Sequence, residues 1–309
     1  MQKYCAICLD IGGTFIKYAL ITKNGELYNF DKAGTIKSGA GDLIKQVYDI
    51  IEQLIVQTSD YEIEGIGISS AGQVDHTNGK IIYGTNNLPG WTGVNLKDII
   101  ERRFKLECHV ENDVNAAALG EMHFGSAKAY SDFVCMTIGT GIGGAIVKGS
   151  ELIHGVAGSA GEIGHMIIKA GGKKCNCGNR GCFEQYASVT ALFKDIERKL
   201  GKSYVMGNNG IEWFLNRYET DGRAKALIDK YAEYISAGII SLVHIFNPSA
   251  VIIGGAVSAN ELLINEVRKN VFKNAMPEFI RSFEVVPTLL GNRASLFGMS
   301  IYVFEKDRK

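Results

Sequence analysis

Apolar residues open the chain as a continuous run at 4–9, closed by Asp10 and the turn Gly12-Gly13-Thr14, and a second apolar run returns at 15–21. Two strand-length runs joined by a glycine turn predict a β-hairpin, and Asn24-Gly25 predicts a further turn into a third strand near 26–30. The period then changes. Leu43, Ile44, Val47, Ile50, Ile51, Leu54 and Ile55 recur at helical spacing, so a helix is expected with one face packed on the sheet. A strand at 63–68 ends at Ser69-Ser70-Ala71-Gly72, and a hairpin through Val74 and Ile81 follows. A short helix is expected at 96–104, a strand at 107–111 and an alanine-rich helix at 113–124. Glu111-Asn112-Asp113 thus falls between a strand end and a helix N-terminus.

The second half repeats the opening. An apolar strand at 133–138 runs into Gly139-Thr140-Gly141-Ile142-Gly143-Gly144, and residues 145–147 begin the returning strand. Helices are expected at 188–200, 211–218 and 223–246, the last stopped by Asn247-Pro248. A strand at 250–253 leads into Gly254-Gly255-Ala256-Val257-Ser258. A helix at 261–272, a strand at 283–286 and a helix at 294–304 complete the pattern. The fold class is α/β, with a smaller domain from 1–115 plus about 294–309 and a larger one from 116–293. No Pro- or Ser-rich linker separates them, so a shared cleft and hinge is expected rather than a tether.

Composition narrows the partners. The 309 residues are 46% hydrophobic, enough for two buried cores, and 33 basic residues balance 33 acidic ones. A neutral chain gives no electrostatic reason to bind nucleic acid or an anionic membrane, so small-molecule partners are expected. Met1-Gln2-Lys3-Tyr4 runs directly into the first strand, and no apolar span is long enough for a membrane helix, which predicts a cytoplasmic protein. In a reducing compartment thiols serve as metal ligands or small core residues rather than disulfides. Cys5, Cys8, Cys108 and Cys135 fit the core role.

The remaining cysteines are clustered. Between Glu162 and Glu184 the chain reads Gly-Glu-Ile-Gly-His, nine residues, then Cys-Asn-Cys-Gly-Asn-Arg-Gly-Cys-Phe-Glu. His165, Cys175, Cys177 and Cys182 offer one imidazole and three thiols, a closed tetrahedral set that suits structural Zn²⁺. A Cys175/Cys177 redox pair, or unrelated buried thiols, are the other readings; redox chemistry favours Cys-x-x-Cys, and Cys-x-Cys makes a strained ring. The glycine turns are less specific. Gly139-x-Gly141-x-x-Gly144 satisfies a dinucleotide fingerprint, but Ala145-Ile146-Val147 after it reads as a strand where that motif needs a helix. Gly201-Lys202-Ser203 lacks the leading glycine of a Walker A loop and reads as a helix end. Two glycine-tipped hairpins are either ordinary turns or a polyphosphate cradle, because glycine lets backbone N–H groups approach the oxygens.

Four segments together carry a resemblance: Asp10-Ile-Gly-Gly-Thr14, Thr137-Ile-Gly-Thr-Gly-Ile-Gly-Gly144, Glu162-Ile-Gly-His165 and Cys175-x-Cys-Gly-x-x-Gly-Cys182-x-Glu184. Over essentially its whole length the chain resembles the ROK family (repressors, open reading frames and kinases) of the sugar kinase/actin/Hsp70 superfamily. The resemblance implies a two-domain actin-like, ribonuclease H-like ATPase fold with sugar and ATP in the interdomain cleft. It also implies Mg²⁺-dependent transfer of the ATP γ-phosphoryl group to a hexose hydroxyl, usually the 6-hydroxyl, and a homodimer.

Residue by residue, the resemblance makes Asp113 the base that accepts the sugar proton, and Asn112, Glu162, His165 and Glu184 partners of the sugar hydroxyls. Gly72 and Asn87 fall in the substrate loops, and His165 would serve both metal and sugar. Asp10 faces the metal-bound phosphates with Gly12, Gly13, Thr14 and Lys17 nearby. Thr140, Gly141 and Gly143 form the second phosphate turn, and Gly255 and Ala256 lie on the adenosine side. Zinc would staple the 162–184 segment. Ala71-Gly72 departs from the Pro-Gly common in the family, which leaves sugar preference open. The first phosphate turn begins at residue 10, so a repressor with the family's leading helix-turn-helix is not expected. The expectation is a glucokinase-like hexose kinase, with N-acetylmannosamine, fructose, allose or β-glucoside kinases, or a non-catalytic sugar sensor, as alternatives. Loops 69–75, 83–91 and 153–161 are expected to decide among sugars.

Overall fold

The computed structural model describes residues 3–58, 61–84, 87–204 and 210–305. Residues 85 and 86 of the expected substrate loop and residues 306–309 of the expected domain tail lie outside this set. The chain divides into two compact units, one of residues 1–128, 154–160 and 293–309, the other of 129–153 and 161–292.

The first unit opens with β1 (Tyr4–Ile11), β2 (Phe15–Thr22), β3 (Leu27–Gly34), α1 (Ala40–Val56) and β4 (Glu62–Ser70). It continues with β5 (Gln73–Asp75), β6 (Lys80–Tyr83), α2 (Leu96–Phe104), β7 (Cys108–Asn112) and α3 (Asp113–Phe124), and takes in the last helix, α9 (Ala294–Phe304). Its sheet runs β3-β2-β1-β4-β7. β1 to β3 pair antiparallel, whereas β4 and β7 run parallel to β1. β1 is the middle strand and is buried from Cys5 to Ile11, which is why it reads as an unbroken apolar run. Leu43, Val47, Ile50, Ile51 and Leu54 of α1 supply the apolar stripe. α3 packs closely on α9: a Cβ on Gly120 would overlap the Ala294 carbonyl oxygen, and one on Gly298 the Ala116 carbonyl oxygen. That contact keeps α3 with the first unit, so the boundary lies after Lys128 rather than at 115.

The second unit holds β8 (Phe133–Ile138), β9 (Ile142–Lys148) and β10 (Glu151–Leu152), then α4 (Glu184–Ala187), α5 (Val189–Leu200), α6 (Gly210–Leu215) and α7 (Gly222–Phe246). β11 (Ala250–Gly255), α8 (Glu261–Asn274) and β12 (Glu284–Pro287) follow. Its sheet order, β10-β9-β8-β11-β12, reproduces the first unit's pattern strand for strand, again with three antiparallel strands and two parallel to the first. The repeated hairpin seen in the sequence is thus a repeated half-fold. The Gly139–Gly144 run passes straight into strand β9, which begins at Ile142 and takes in Gly143 and Gly144 where the dinucleotide fingerprint needs a helix, and this excludes that reading. Gly201 ends α5 with φ +93°, so Gly201-Lys202-Ser203 is a helix end. Three boundaries differ from expectation by three residues or more: β3 extends to Gly34, β9 begins at Ile142 rather than 145, and α6 stops at Leu215, after which residues 216–220 form turns.

Candidate active site and metal centre

In the first unit, strand register assembles the first constellation. Asp10 pairs with Lys17 across the hairpin and with Ser69 on β4. The residue is 6% exposed, and its side chain accepts from Lys17 Nζ at 2.8 Å and from Ser69 Oγ at 2.8 Å. The turn beyond is pinned by the Gly12 N–H to Phe15 O at 3.0 Å and by Thr35 Oγ1 to Gly12 O at 2.7 Å. Thr14 is exposed at its tip. Asn87 packs against Gly13, where a Cβ would lie 2.8 Å from Asn87 Cβ.

Asn112 ends β7 and caps α3. Its Oδ1 accepts from the Val114 and Asn115 N–H groups at 2.8 and 3.1 Å, and its Nδ2 donates to Gly72 O at 2.9 Å and to Asp113 Oδ1 at 3.0 Å. Gly72 has φ +108°, and a Cβ there would overlap the Tyr83 carbonyl oxygen. Asp113 Oδ1 also accepts from the Val114 N–H at 3.0 Å. Burial first and the Asp10 charge second push the Asp113 carboxyl up to about 7, against the pull of the Val114 N–H and Lys17. A carboxylate in that state takes a proton far more readily than an ordinary aspartate.

The second unit holds the second glycine turn and the cysteine segment. The Gly139 N–H donates to Gly141 O at 3.0 Å, and Gly139 O accepts from the Val189 N–H at 2.9 Å. Thr140 at the tip is exposed and Gly143 half-buried. Gly255 pairs with Ile138, which sets Gly255 and Ala256 beside this turn. The Glu162–His165 segment lies flat on β9, because Gly144, Gly161 and Gly164 leave no Cβ between backbones; one on Gly164 would overlap Ile142 O. Glu184 approaches the turn in the same way, its Oε2 lying 2.8 Å from where a Cβ on Gly141 would stand.

His165, Cys175, Cys177 and Cys182 bring their ligand atoms within 4.8 Å of one another. Cys175 Sγ lies 3.7 Å from His165 Nδ1, and Cys177 Sγ 3.5 Å from Cys182 Sγ. Zn–S bonds of about 2.3 Å place tetrahedral sulfurs about 3.8 Å apart, so both the donor set and the spacing fit zinc. Backbone N–H donation from Asn179 lowers the exposed Cys177 thiol to about 7, which favours the thiolate a metal needs. His165 turns its other nitrogen away, with Nε2 3.8 Å from Glu162 Oε2. Cys175 donates to Glu184 Oε1 at 3.2 Å, linking the ligand cluster to the second glutamate.

The structure therefore gathers Asp10, Gly12, Gly13, Thr14, Lys17, Gly72, Asn87, Asn112 and Asp113 in one unit. Thr140, Gly141, Gly143, Glu162, His165, Cys175, Cys177, Cys182, Glu184, Gly255 and Ala256 fall in the other. Sequence motifs give no individual role to Ser69, Glu111 or His154, although Ser69 and His154 fall in loops expected to decide among sugars. Ser69 and Glu111 are buried polar side chains at strand ends, beside motif residues, and that is a readable signal. His154 has none, because it meets Glu111 only through a 43-residue separation.

The model of the ROK family matches residues 6–306. A glucokinase of Thermotoga maritima is 33% identical over 323 residues, covering 99% of each chain. A xylose repressor of Bacillus spizizenii is 33% identical over 304 residues, covering 97% of this chain and 77% of the repressor. Among solved structures, a ROK family glucokinase from Streptomyces griseus in complex with glucose and AMPPNP superposes with a TM-score of 0.84. That enzyme is 30% identical, with 97% of this chain and 99% of that one covered.

Proposed function

The chain belongs to the ROK family and works as an ATP-dependent sugar kinase, and from that premise we propose that it transfers the γ-phosphoryl group to the 6-hydroxyl of a hexose, glucose first. Glucokinases among its relatives and the glucose-bound structure support this choice. The observation that carries it is Asp113, half-buried at the start of α3, with one oxygen tied to the helix N-terminus and its carboxyl raised to about 7.

In this reading Asp113 Oδ2 accepts the proton of the 6-hydroxyl as that oxygen bonds to the γ-phosphorus and the bond to the β-phosphate oxygen breaks, releasing ADP. Phosphoryl transfer has a loose transition state, so aiming the nucleophile and stabilising charge matter more than base strength. Asn112 Nδ2 holds Asp113 Oδ1 and thereby sets the direction of Oδ2. Glu162, His165 Nε2 and Glu184 are the further partners of sugar hydroxyls, where carboxylates accept bidentately. Lys17 and the backbone N–H groups of Gly12, Gly13 and Thr14, with those of Thr140, Gly141 and Gly143, hold phosphate oxygens, and Gly255 and Ala256 border the adenosine. Mg²⁺ bound with ATP supplies the charge that lets Asp10 stand near the phosphates. Zinc on His165, Cys175, Cys177 and Cys182 has a closed ligand set and a purely structural role, fixing the segment that orients Glu162 and Glu184. A homodimer in the cytoplasm completes the proposal.

Asp113→Asn tests it. Calorimetry is expected to show glucose bound as tightly as by the wild type, while turnover falls by about 10²-fold or more. Turnover close to wild type removes Asp113 from the role of base.

The xylose repressors support a second reading, a sugar sensor without phosphoryl transfer. It predicts sugar binding with no ADP release on any sugar.

A further inference from the structure

Glu111 is the last residue before the Asn112-Asp113 junction of β7 and α3 and is 1% exposed. Both of its oxygens are fully engaged. Oε1 accepts from the Asn112 backbone N–H at 2.6 Å and from Asn115 Nδ2 at 3.0 Å. Oε2 accepts from Tyr302 Oη at 2.7 Å and lies 2.8 Å from His154 Nε2, which therefore carries the proton of that contact. Burial works against this carboxylate, yet the hydrogen bonds, led by His154, hold it below the ordinary carboxylate range.

His154 begins the strap 154–160, which packs with the first unit although its neighbours in sequence belong to the second. Its ring stacks on His76, with centroids 3.6 Å apart and planes 13° from parallel. The three side chains also form a metal-compatible group. The stacking argues against an ion: nearly parallel rings one above the other cannot both aim an in-plane lone pair at one metal, and each Glu111 oxygen already has two donors.

We propose that His154 is a positioning residue for phosphoryl transfer, acting through Glu111 to hold the backbone of the Asn112-Asp113 junction, with His76 fixing the imidazole that aims Nε2. The inference rests on the reading of Asp113 as the base. The coupling is short. The Asn112 N–H is gripped by Glu111, and the Asn112 side chain grips Asp113, so loosening Glu111 turns both together. A misplacement of about 1 Å at a reacting group costs about 10²-fold in rate.

The test is steady-state ADP release on saturating sugar by zinc-loaded full-length protein for His154→Ala, His154→Gln and Tyr302→Phe, with Asp113→Asn as control. His154→Ala is expected to lower kcat about 10²-fold with the KM for ATP within about 2-fold, and His154→Gln, which keeps a side-chain N–H donor, to regain about 10-fold of that loss. Amide exchange at Asn112 is expected to quicken in His154→Ala, a readout independent of turnover. A kcat within about 2-fold of wild type in His154→Ala overturns the proposal. So does an equal loss in Gln and Ala variants that follows their fall in Tm, since that marks a purely structural role. If the alanine variant fails to fold, Tyr302→Phe decides, because it removes one donor from the same oxygen: lowered kcat with unchanged KM for ATP supports the proposal, unchanged kcat overturns it. Full turnover in Asp113→Asn, by contrast, strikes the functional reading and not the network.

Discussion

Asp113 sets the pH behaviour expected of the site. Its folded-state carboxyl, raised to about 7, must lose its proton before it can accept one, so kcat/KM for sugar should rise with pH along an acid limb near 7. Removing the Asp10 charge should move that limb to lower pH, because Asp10 is one of the two causes of the shift. The stability effect has the opposite sense. A carboxyl whose pKa is raised on folding favours the folded state fully below its unfolded value of about 3.9, and that contribution is lost as pH rises through about 7. In the ligand-free protein at pH 8, Asp113→Asn should therefore raise Tm by a few degrees, although it lowers turnover by about 10²-fold or more. Thermal scans at pH 5 and pH 8 check the sign; a variant destabilised equally at both would contradict the burial account. Asp113, Asn112 and Asp10 are legible in the sequence because each lies in a local motif at a strand end. Glu111, His154 and Tyr302 are not read together, since separations of 43 and 191 residues are closed only by the tertiary fold.

At the scale of elements, strands and helices are largely readable because their periods are clean. α2, α3 and α9 begin and end where expected, and Asn95, Asn112, Ser188, Asp221 and Asn260 cap their helices with side-chain oxygens. β3 escapes full recognition because its outer half is polar and exposed, so no apolar run marks it. The metal segment is the opposite case: its ligands are plain in sequence, but its path is not. Between His165 and Glu184 no named strand runs; isolated bridges, Ile167 with Cys182 and Lys174 with Arg180, and turn hydrogen bonds such as the Cys175 N–H to Asn179 O and the Phe183 N–H to Met166 O tie the backbone. A segment with so little ladder of its own needs a cross-link to stay ordered. Cys177→Ser or chelation should lower Tm and weaken sugar binding together, as scanning calorimetry and titration would record; a metal-free protein with normal values in both would remove zinc from this role. Gly164→Ala should cost about 1–3 kcal/mol and raise the KM for sugar, because the new methyl group meets the Ile142 backbone oxygen and lifts the segment from β9. Denaturant unfolding measures the first effect and initial rates the second.

For the whole molecule, the two sheets share one strand order, and each carries a glycine-tipped hairpin at the end of its first strand. That repetition is visible in the sequence as two similar apolar–glycine–apolar passages. What the pattern does not give is how α3 and α9 pair through Gly120 and Gly298, because close approach of two helices depends on which small residues face each other. Nor does it choose the sugar, since a hydroxyl-rich substrate is selected by the placement of a few acceptors rather than by their type.

The most direct measurement is ADP release from ATP-Mg²⁺ by the purified protein across glucose, mannose, fructose, allose, N-acetylglucosamine, N-acetylmannosamine and cellobiose, with Asp113→Asn run alongside. The account predicts strong turnover on one hexose, glucose, and its loss in the variant. Sugar binding without ADP release on any member of the panel would contradict it and favour a sensor.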